Sequence, residues 1–279
     1  DSLIREKLSG GVTYAVAREK AVKEIAGKNV AGVLKNPNDT LAAEYMAAFG
    51  RLKSEKKYLA VKRRGAGHDM SIPDEGYLSA SGIREFILKG DGGWESFVPE
   101  TTSEIILSEI EKGRAPVRYE RLYTSVLAAL RTAEPDEIKR LPDISEGLEN
   151  RISDAAKKAV SFGDFLSYAK TKRYTMARIK RIALHAFLGI TDEMQREEPP
   201  YIRVLAFNDR GREILRKAKD TASLPVIMRS ADIEKAGEKA KAVFKAENRA
   251  SDIYSLAMPN VLPCGEEYRF NVIRDHNIF

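Results

Sequence analysis

A strongly basic segment, residues 170–181, has the residue types needed to bind phosphate. From Phe165 to Thr191 the sequence contains no acidic residue, whereas it contains six lysines and arginines. Solvent-exposed helices usually mix both signs of charge, because oppositely charged side chains four residues apart stabilise a helix. The missing acidic partners favour a surface that binds an anion. A lysine-rich, solvated face of a structural helix is the alternative.

The spacing within and after this segment predicts a one-sided helix over residues 175–190. Apolar residues recur at helical spacing and are expected to face a core: Met176, Ile179, Ala183, Ala186 and Ile190. Four other side chains are expected along another face: Tyr174, Arg178, Arg181 and His185. Free N–H groups of the first turn, with Thr171 or Thr175 as the cap, would also favour an anionic oxygen.

A second candidate site is the segment Ser79-Ala80-Ser81-Gly82-Ile83-Arg84. It resembles the Ser-x-[Ser/Thr]-x-Ile-Arg pattern found at a helix start in adenylyltransferases. The hydroxyls of Ser79 and Ser81 and the positive end of the helix, with Arg84 one turn further, can hold the β- and γ-phosphates as pyrophosphate leaves. A capped structural helix with a surface arginine is the alternative.

Two further segments could contact a nucleotide. Alternating residues predict a strand over residues 57–63, which places Arg63 and Arg64 at its end, before a small-residue loop. In open α/β sheets, ligands bind beyond the carboxyl ends of the strands. Asn38 lies in a turn over residues 36–40, where an amide side chain could read an adenine or ribose edge.

The elements that must position these residues are mainly helical. Helices are predicted over residues 2–8, 13–25, 41–49, 79–89, 103–112, 120–131, 162–169, 175–190, 211–219, 233–248 and 251–257. A further helix is expected to begin with Asp143 as its cap and Glu146 as the capping-box partner. Strands are predicted over residues 57–63, 201–207 and 224–228. The glycines of residues 90–93 suggest a boundary between domains 1–92 and 93–279.

Composition restricts the class of protein. The 279 residues are 43% apolar, enough for a core and about two domains, and the formal charge of +6 suits a polyanionic partner. One cysteine excludes an intrachain disulfide framework and indicates a reducing cytoplasm. No apolar run reaches the ~20 residues that span a bilayer. Three histidines far apart, and no hydrolase motif, argue against a protein metal site or a hydrolase.

Eight segments taken in order resemble one family, the bacterial tRNA(Met) cytidine acetate ligases. They are residues 11–18, 37–45, 64–69, 79–84, 146–151, 170–175, 201–207 and 249–254. Each segment alone is a weak signal, but the series covers nearly the whole chain. The resemblance implies an α/β, mainly helical fold: the C-terminal part of a Rossmann-like nucleotidyltransferase domain, then a mostly α-helical domain with a small αβ embellishment.

The resemblance also implies a reaction, its substrates and the residues that bind them. Acetate would be activated by ATP, with Mg²⁺, to acetyl-adenylate, and the acetyl group would pass to N4 of the wobble cytidine of elongator tRNA(Met). By position, Asn38, Arg63 and Arg64 would contact ATP and Arg84 would hold the leaving phosphates. Five residues would meet tRNA, with Arg181 on the same basic helix face: Lys170, Lys172, Arg173, Tyr174 and Arg178.

Two departures from the family pattern matter. The chain has no His-x-Gly-His phosphate motif, so it resembles the C-terminal two thirds of the enzyme. The isolated chain is therefore expected neither to adenylate acetate nor to acetylate tRNA. Asp39 stands where the family usually has a second asparagine. A generic small-molecule adenylyltransferase and a non-enzymatic helical RNA-binding module are the alternative functions, but only the ligase uses both basic sites.

Overall fold

The computed structural model describes residues 2–62, 76–145, 147–172 and 174–274. Backbone contacts divide the chain into two compact units. The first unit comprises Asp1–Ser79 and Lys170–Thr175, and the second comprises Ala80–Ala169 and Met176–Phe279. These units are groups of residues in contact and are not a test of domain bounds. The predicted boundary between domains 1–92 and 93–279 therefore stays a prediction.

The described part of the first unit contains three helices: α1 (Ser2–Ser9), α2 (Tyr14–Val33) and α3 (Pro37–Arg51). Helix α2 continues past the predicted end at residue 25, with a kink at Gly27, where φ is 87°. Helix α3 begins four residues earlier than predicted. The Asn36 side chain accepts a hydrogen bond from the Asn38 N–H at 3.1 Å, and Pro37 fits the first helical position because that residue needs no N–H partner.

The strand predicted over residues 57–63 is wrong for its described part, residues 57–62, which are irregular. The alternating pattern is real, but the side chains of Leu59 and Val61 are 89% and 83% exposed. A strand is stabilised by a neighbouring strand and by packing of one face, and alternation alone supplies neither. Arg63 lies outside the described residues.

The second unit is largely helical, which confirms the mainly helical α/β fold. Its α-helices are α4 (Ala80–Lys89), α5 (Glu100–Glu111), α6 (Tyr123–Thr132), α7 (Pro135–Lys139), α8 (Leu148–Lys158), α9 (Phe162–Ala169), α10 (Met176–Leu188), α11 (Asp192–Arg196), α12 (Asp209–Thr221), α13 (Glu238–Ser255) and α14 (Glu266–Arg269). Three 3₁₀ turns accompany them: Trp94–Phe97, Tyr119–Leu122 and Ser230–Lys235. The predicted closing helices over 233–248 and 251–257 are one 3₁₀ turn and the continuous helix α13.

Helices α6, α8, α9 and α10 pack together around the main core of this unit. Leu130 is 1% exposed, and Ile152, Phe165 and Ile179 are completely buried. Each of these helices places apolar residues three or four positions apart on the buried face, as the sequence pattern indicates. Helix α9 has the predicted bounds, 162–169.

Four short strands form two parallel pairs rather than one sheet. They are β1 (Ile202–Arg203), β2 (Ala206–Phe207), β3 (Val226–Ile227) and β4 (Ile273–Arg274). Strand β1 pairs with β3, and β2 pairs with β4. The strand predicted over residues 201–207 therefore splits, because the chain changes partner: the Val204 N–H binds the Ile227 carbonyl at 3.0 Å, and the Leu205 carbonyl accepts from the Ile273 N–H at 3.1 Å.

Helix α12 lies between β2 and β3 in the chain and contacts β2. None of its side chains is fully buried. Gly211, in its first turn, lies so close to the strand that an added Cβ would come within 3.0 Å of the Phe207 Cβ. This close approach brings the helix onto the end of β2.

Truncating the α9 core residue tests the packing. We expect Phe165→Ala to lower the free energy of unfolding by about 3–5 kcal/mol, because it leaves a cavity at a fully buried site. Urea unfolding followed by circular dichroism measures the change. The control is Val160→Ala, at a side chain that is 89% exposed, which should change stability by less than about 0.5 kcal/mol. Equal effects of the two variants would contradict this core.

Candidate functional site

The basic helix α10 is shorter at both ends than predicted. Of the predicted core residues, Ile179 and Ala183 are completely buried, whereas Met176, Ala186 and Ile190 are half-buried. Ile182, which was not among the predicted core residues, is also completely buried. Lys180 and Arg181 are exposed. A helix that buries one side must present the other side to solvent. The structure therefore gives α10 an outward basic face, although not every predicted residue lies on it.

Arg178 is half-buried and tied to the loop that precedes α8. Its Nε donates to the Asp143 carbonyl oxygen at 3.0 Å, and its Nη2 donates to the same oxygen and, at 3.1 Å, to the Ser145 Oγ. These contacts anchor α10 to that loop. Arg178 was expected to meet a ligand from an open helix face, and the structure instead gives it a bracing role.

Arg181 binds the carboxylate of the same residue, Asp143. Its Nε and Nη2 lie 3.1 and 2.8 Å from the Oδ2, and its side chain remains 55% exposed. Asp143 itself has a φ of 66°, in the left-handed region that aspartate tolerates better than most residues. The acid-free sequence around α10 thus receives an acidic partner from a distant segment.

The prediction of Asp143 as a helix cap is wrong. Helix α8 begins at Leu148 and its cap is Gly147, with a φ of 77°. The Asp143 carboxylate is engaged by Arg181 and is four residues too early to accept from the first turn. Glu146, the predicted capping-box partner, lies outside the described residues.

Tyr174 is a second correction at the basic segment. Its side chain is only 7% exposed, so its ring is not presented for stacking on a base. The Tyr174 N–H donates to the Thr171 Oγ at 3.1 Å, which shows that Thr171 shapes the turn before α10 rather than capping the helix. Three charged residues of the predicted set remain on the surface: Lys170, Lys172 and Arg181. Arg173 lies outside the described residues.

His185 follows Arg181 by one turn on α10. Burial lowers the pKa of its imidazole below the ordinary value of 6.5, while Asp143 acts to raise that pKa and Arg181 acts to lower it. The Nδ1 is buried and finds no hydrogen-bond partner among the described residues. Burial therefore favours the neutral form of this imidazole.

The three residues of the predicted phosphate site at the start of α4 differ in solvent exposure. Ser79 is 4% exposed, Ser81 is half-buried and Arg84 is exposed. Within the described part of the chain, the Arg84 side chain makes no hydrogen bond or ion pair. It lies one turn after Ala80, where α4 begins, so its guanidinium can bend toward the N–H groups of the first turn. Both features favour a phosphate.

Of the remaining residues predicted to contact the nucleotide, Asn38 lies within the described part of the chain. Asn38 is exposed in the first turn of α3, and its backbone N–H is satisfied by Asn36. Its side-chain amide is at the surface. Arg63 and Arg64 lie outside the described residues, so their predicted contacts with ATP stay predictions.

A polar network around Arg203 was missed by the sequence reasoning. Arg203 pairs with Glu247 at 3.5 Å and with Glu267, and its guanidinium lies 5.5 Å from the centres of the Phe244 and Phe270 rings. The Tyr201 hydroxyl donates to Glu247 at 2.7 Å. Glu247 and Glu267 are 44 and 64 residues from Arg203 in the sequence, and no local sequence pattern indicates these pairs.

The same network accounts for the segment 249–254. Ser251 donates to Glu267, and the Asp252 carboxylate accepts from the Gly265 N–H at 2.7 Å. Burial acts to raise the pKa of Glu267, but the hydrogen bonds from Ser251 and Arg203 outweigh it and lower that pKa. The segment therefore joins α13 to the loop before α14 and is structural.

Comparisons with known proteins identify similar chains. The model of the HIGH Nucleotidyl Transferase family matches residues 1–267. A tRNA(Met) cytidine acetate ligase of Thermoanaerobacter sp. is 34% identical over 97% of this chain and 68% of its own length. One of Acetivibrio thermocellus is 31% identical over 98% and 69%.

Two solved structures are similar to this chain in fold. An apo structure of Thermotoga maritima TmcAL matches with a TM-score of 0.88 at 28% identity, over 99% of this chain and 70% of that one. A second structure, bound with alpha-thio ATP, matches with a TM-score of 0.86 over the same shares of the two chains. Within the described ranges, no helix combines the length and apolar character that crossing a membrane requires.

The pKa of His185 makes a prediction about pH. Because the folded state lowers this pKa, it binds fewer protons than the unfolded state near pH 6. The stability due to the neutral imidazole is present above the unfolded pKa of about 6.5 and is lost as the pH falls below it. We expect urea unfolding to show this loss between about pH 7.5 and 5.5, and His185→Gln to reduce it. An unchanged pH dependence in the variant would contradict this assignment.

Proposed function

Because the chain belongs to the HIGH nucleotidyl transferase family and to the tRNA(Met) cytidine acetate ligases, we propose that it is an ATP-dependent ligase that acetylates N4 of the wobble cytidine of elongator tRNA(Met). The similar proteins are tRNA(Met) cytidine acetate ligases, which supports tRNA(Met) as a ligand. A similar solved structure is bound with alpha-thio ATP, which supports ATP. Acetate, and Mg²⁺ as the counter-ion of the ATP substrate, are the finer parts of this proposal.

The proposed reaction has two steps. An acetate oxygen attacks the α-phosphorus of ATP, and the bond to the β-phosphate bridging oxygen breaks to release pyrophosphate. The N4 amine of cytidine then attacks the acetyl carbonyl carbon, AMP leaves, and the amine loses a proton. Both steps need cations near phosphate: the first as negative charge develops on pyrophosphate, and the second to hold the tRNA.

We assign the phosphates of ATP to the start of α4. The exposed guanidinium of Arg84 and the N–H groups of the first turn supply positive charge where pyrophosphate leaves, and Ser81 can donate its hydroxyl. Ser79, which directly precedes this helix in the chain, is buried. For Asn38, Arg63 and Arg64, contact with ATP stays a prediction from the resemblance.

We assign the tRNA backbone to the exposed cations in and before α10. Lys172 and Lys180 are exposed and have no ion-pair partner in the described part of the chain, and Lys170 and Arg181 are exposed beside them in sequence. Arg173 belongs to the same proposal. Arg178 and Tyr174 contribute by fixing the segment, through the Asp143 carbonyl and through burial respectively.

The alternative functions each leave one of these features unused. A small-molecule adenylyltransferase would not need the basic face of α10, and a helical RNA-binding module would not need Arg84. The names of the similar proteins favour the ligase over both.

A genetic test addresses the reaction. The complete open reading frame that contains this chain is expressed in a bacterium deleted for its own tRNA(Met) cytidine acetate ligase, and N4-acetylcytidine in elongator tRNA(Met) is measured by mass spectrometry. The chain alone, expressed in parallel, is expected to restore no N4-acetylcytidine. We expect restoration by the wild type and a loss of roughly 100-fold in activity for Arg84→Ala, because a charge at the leaving pyrophosphate is removed. The control is Lys89→Ala, which removes a cation on the same helix that pairs with Glu85. Full acetylation by Arg84→Ala would contradict the assignment.

A binding test addresses the tRNA surface. We expect Lys172→Ala combined with Lys180→Ala to weaken binding of an elongator tRNA(Met) transcript and to reduce the slope of log affinity against log salt by about 2, or about 1 for each lost phosphate contact. Fluorescence anisotropy over a salt series measures both. The matched control removes two exposed lysines elsewhere, Lys235→Ala with Lys245→Ala. Equal slopes in the two double variants would exclude this surface.

A further inference from the structure

A groove runs beside α12. Its lining residues lie between Phe207 and Arg274, and none of them belongs to α4 or α10. Three adjoining hollows meet at Met228: one lies against Phe207 and the helix, one follows the helix to its C-terminal end, and one leads toward Val272. The floor is apolar, with Phe207, Leu215 and Met228 half-buried. Because the three hollows share Met228, they form one continuous groove beside the helix.

The rim of this groove is cationic. Arg212, Arg216 and Lys219 are spaced four and three residues apart, so they share the helix face that lines it. The Arg274 guanidinium lies 5.7 Å from the centre of the Phe207 ring and supplies a flat cation across the groove. An apolar floor between cations is the arrangement that accepts a base and its phosphates.

The acidic residues of the groove are already committed. Asp209 pairs with Arg212 at 3.2 Å, and Asp232 accepts from the Met228 and Arg229 N–H groups at 3.3 and 3.0 Å. Arg216 and Lys219 have no ion-pair partner among the described residues. The groove therefore keeps a net positive charge for a ligand.

We propose that this groove binds a single-stranded segment of the substrate RNA, with a base against the apolar floor and phosphates on Arg216 and Lys219. The proposal rests on the proposed function for the identity of the RNA. It adds a second RNA contact to the one assigned to α10. Its chemistry is stacking and charge attraction, which holds an RNA in place but selects sequence only weakly.

An RNA strand suits this groove better than a free mononucleotide. Pockets for small ligands enclose most of the ligand and fix it with a few precisely placed polar groups. Here the cations are exposed side chains at the end of flexible stems, and the lining of the three hollows includes residues as different as Phe207, Leu224 and Val272, so the groove is larger than any one hollow. A polymer can use all three hollows at once.

The test compares two faces of one helix. Arg216→Ala with Lys219→Ala removes two cations from the groove, and Arg210→Ala with Lys217→Ala removes two exposed cations from the opposite face. The probes are an elongator tRNA(Met) transcript, a single-stranded RNA oligonucleotide and the same oligonucleotide with abasic positions. We expect the groove variant to bind tRNA about tenfold more weakly, with a salt slope lower by about 2, and the control variant to bind within about twofold of the wild type.

The oligonucleotides test the apolar floor. The wild type should bind the normal oligonucleotide more tightly than the abasic one, and the groove variant should lose part of that difference. Equal effects of the groove and control variants, or an undiminished preference for bases in the groove variant, would overturn the proposal. Displacement of the oligonucleotide from the groove by equimolar ATP would also overturn it, because the site would then be a mononucleotide pocket.

The variant of Lys172 and Lys180 separates this proposal from the proposed function. If that variant loses tRNA affinity while the groove variant keeps it, the groove is excluded and the tRNA surface on α10 stands. If the wild type binds no tRNA, the proposed function and the groove proposal both fail.

Discussion

Burial of one side of α10 is the constraint on which the second unit depends. Ile179, Ile182 and Ala183 are completely buried, and α10 packs against α6 and α9. Burying an isoleucine contributes about 1.5–3 kcal/mol, which is large compared with a surface ion pair. Because these residues face inward, the helical repeat places Lys180 and Arg181 on the outward side. The hydrophobic side of the helix thus sets the position of its charged side.

Many arginines of the second unit serve the backbone rather than a ligand. Seven of the described ones donate to carbonyl oxygens: Arg118 to Leu88, Arg121 to Met258, Arg131 to Ala156 and Ala159, Arg151 to Tyr168 and Ala169, Arg178 to Asp143, Arg249 to Gly189, and Arg269 to Pro263 and Cys264. The carbonyls that receive Arg131 and Arg151 lie at the ends of α8 and α9, where the last turn lacks internal partners. The formal charge of +6 therefore does not report how much positive surface is open to a polyanion.

The features that could be predicted from the sequence are local ones. The period of apolar residues predicts the bounds of α9 and part of the buried face of α10, because two to four consecutive turns carry that signal. The partner of Arg181 is 38 residues away, and Arg203 and Glu267 are 64 residues apart. Such contacts depend on how helices pack. The strand predicted over residues 57–63 fails for the same reason, since a strand needs a neighbour that its own residues do not specify. The start of α4 and the exposed Arg84 one turn later could be predicted because both are local features, and their binding of phosphate stays a prediction.

Helix α12 differs from the helices of the core in having no fully buried side chain. Its attachment rests on half-buried residues such as Leu215 and on the close approach of Gly211 to Phe207. An element held by so few apolar contacts opens at a free energy well below that of global unfolding, so its amide protons exchange with solvent early. A ligand beside this helix must bear the entropy cost of ordering it, and its affinity then reports local folding as well as contact.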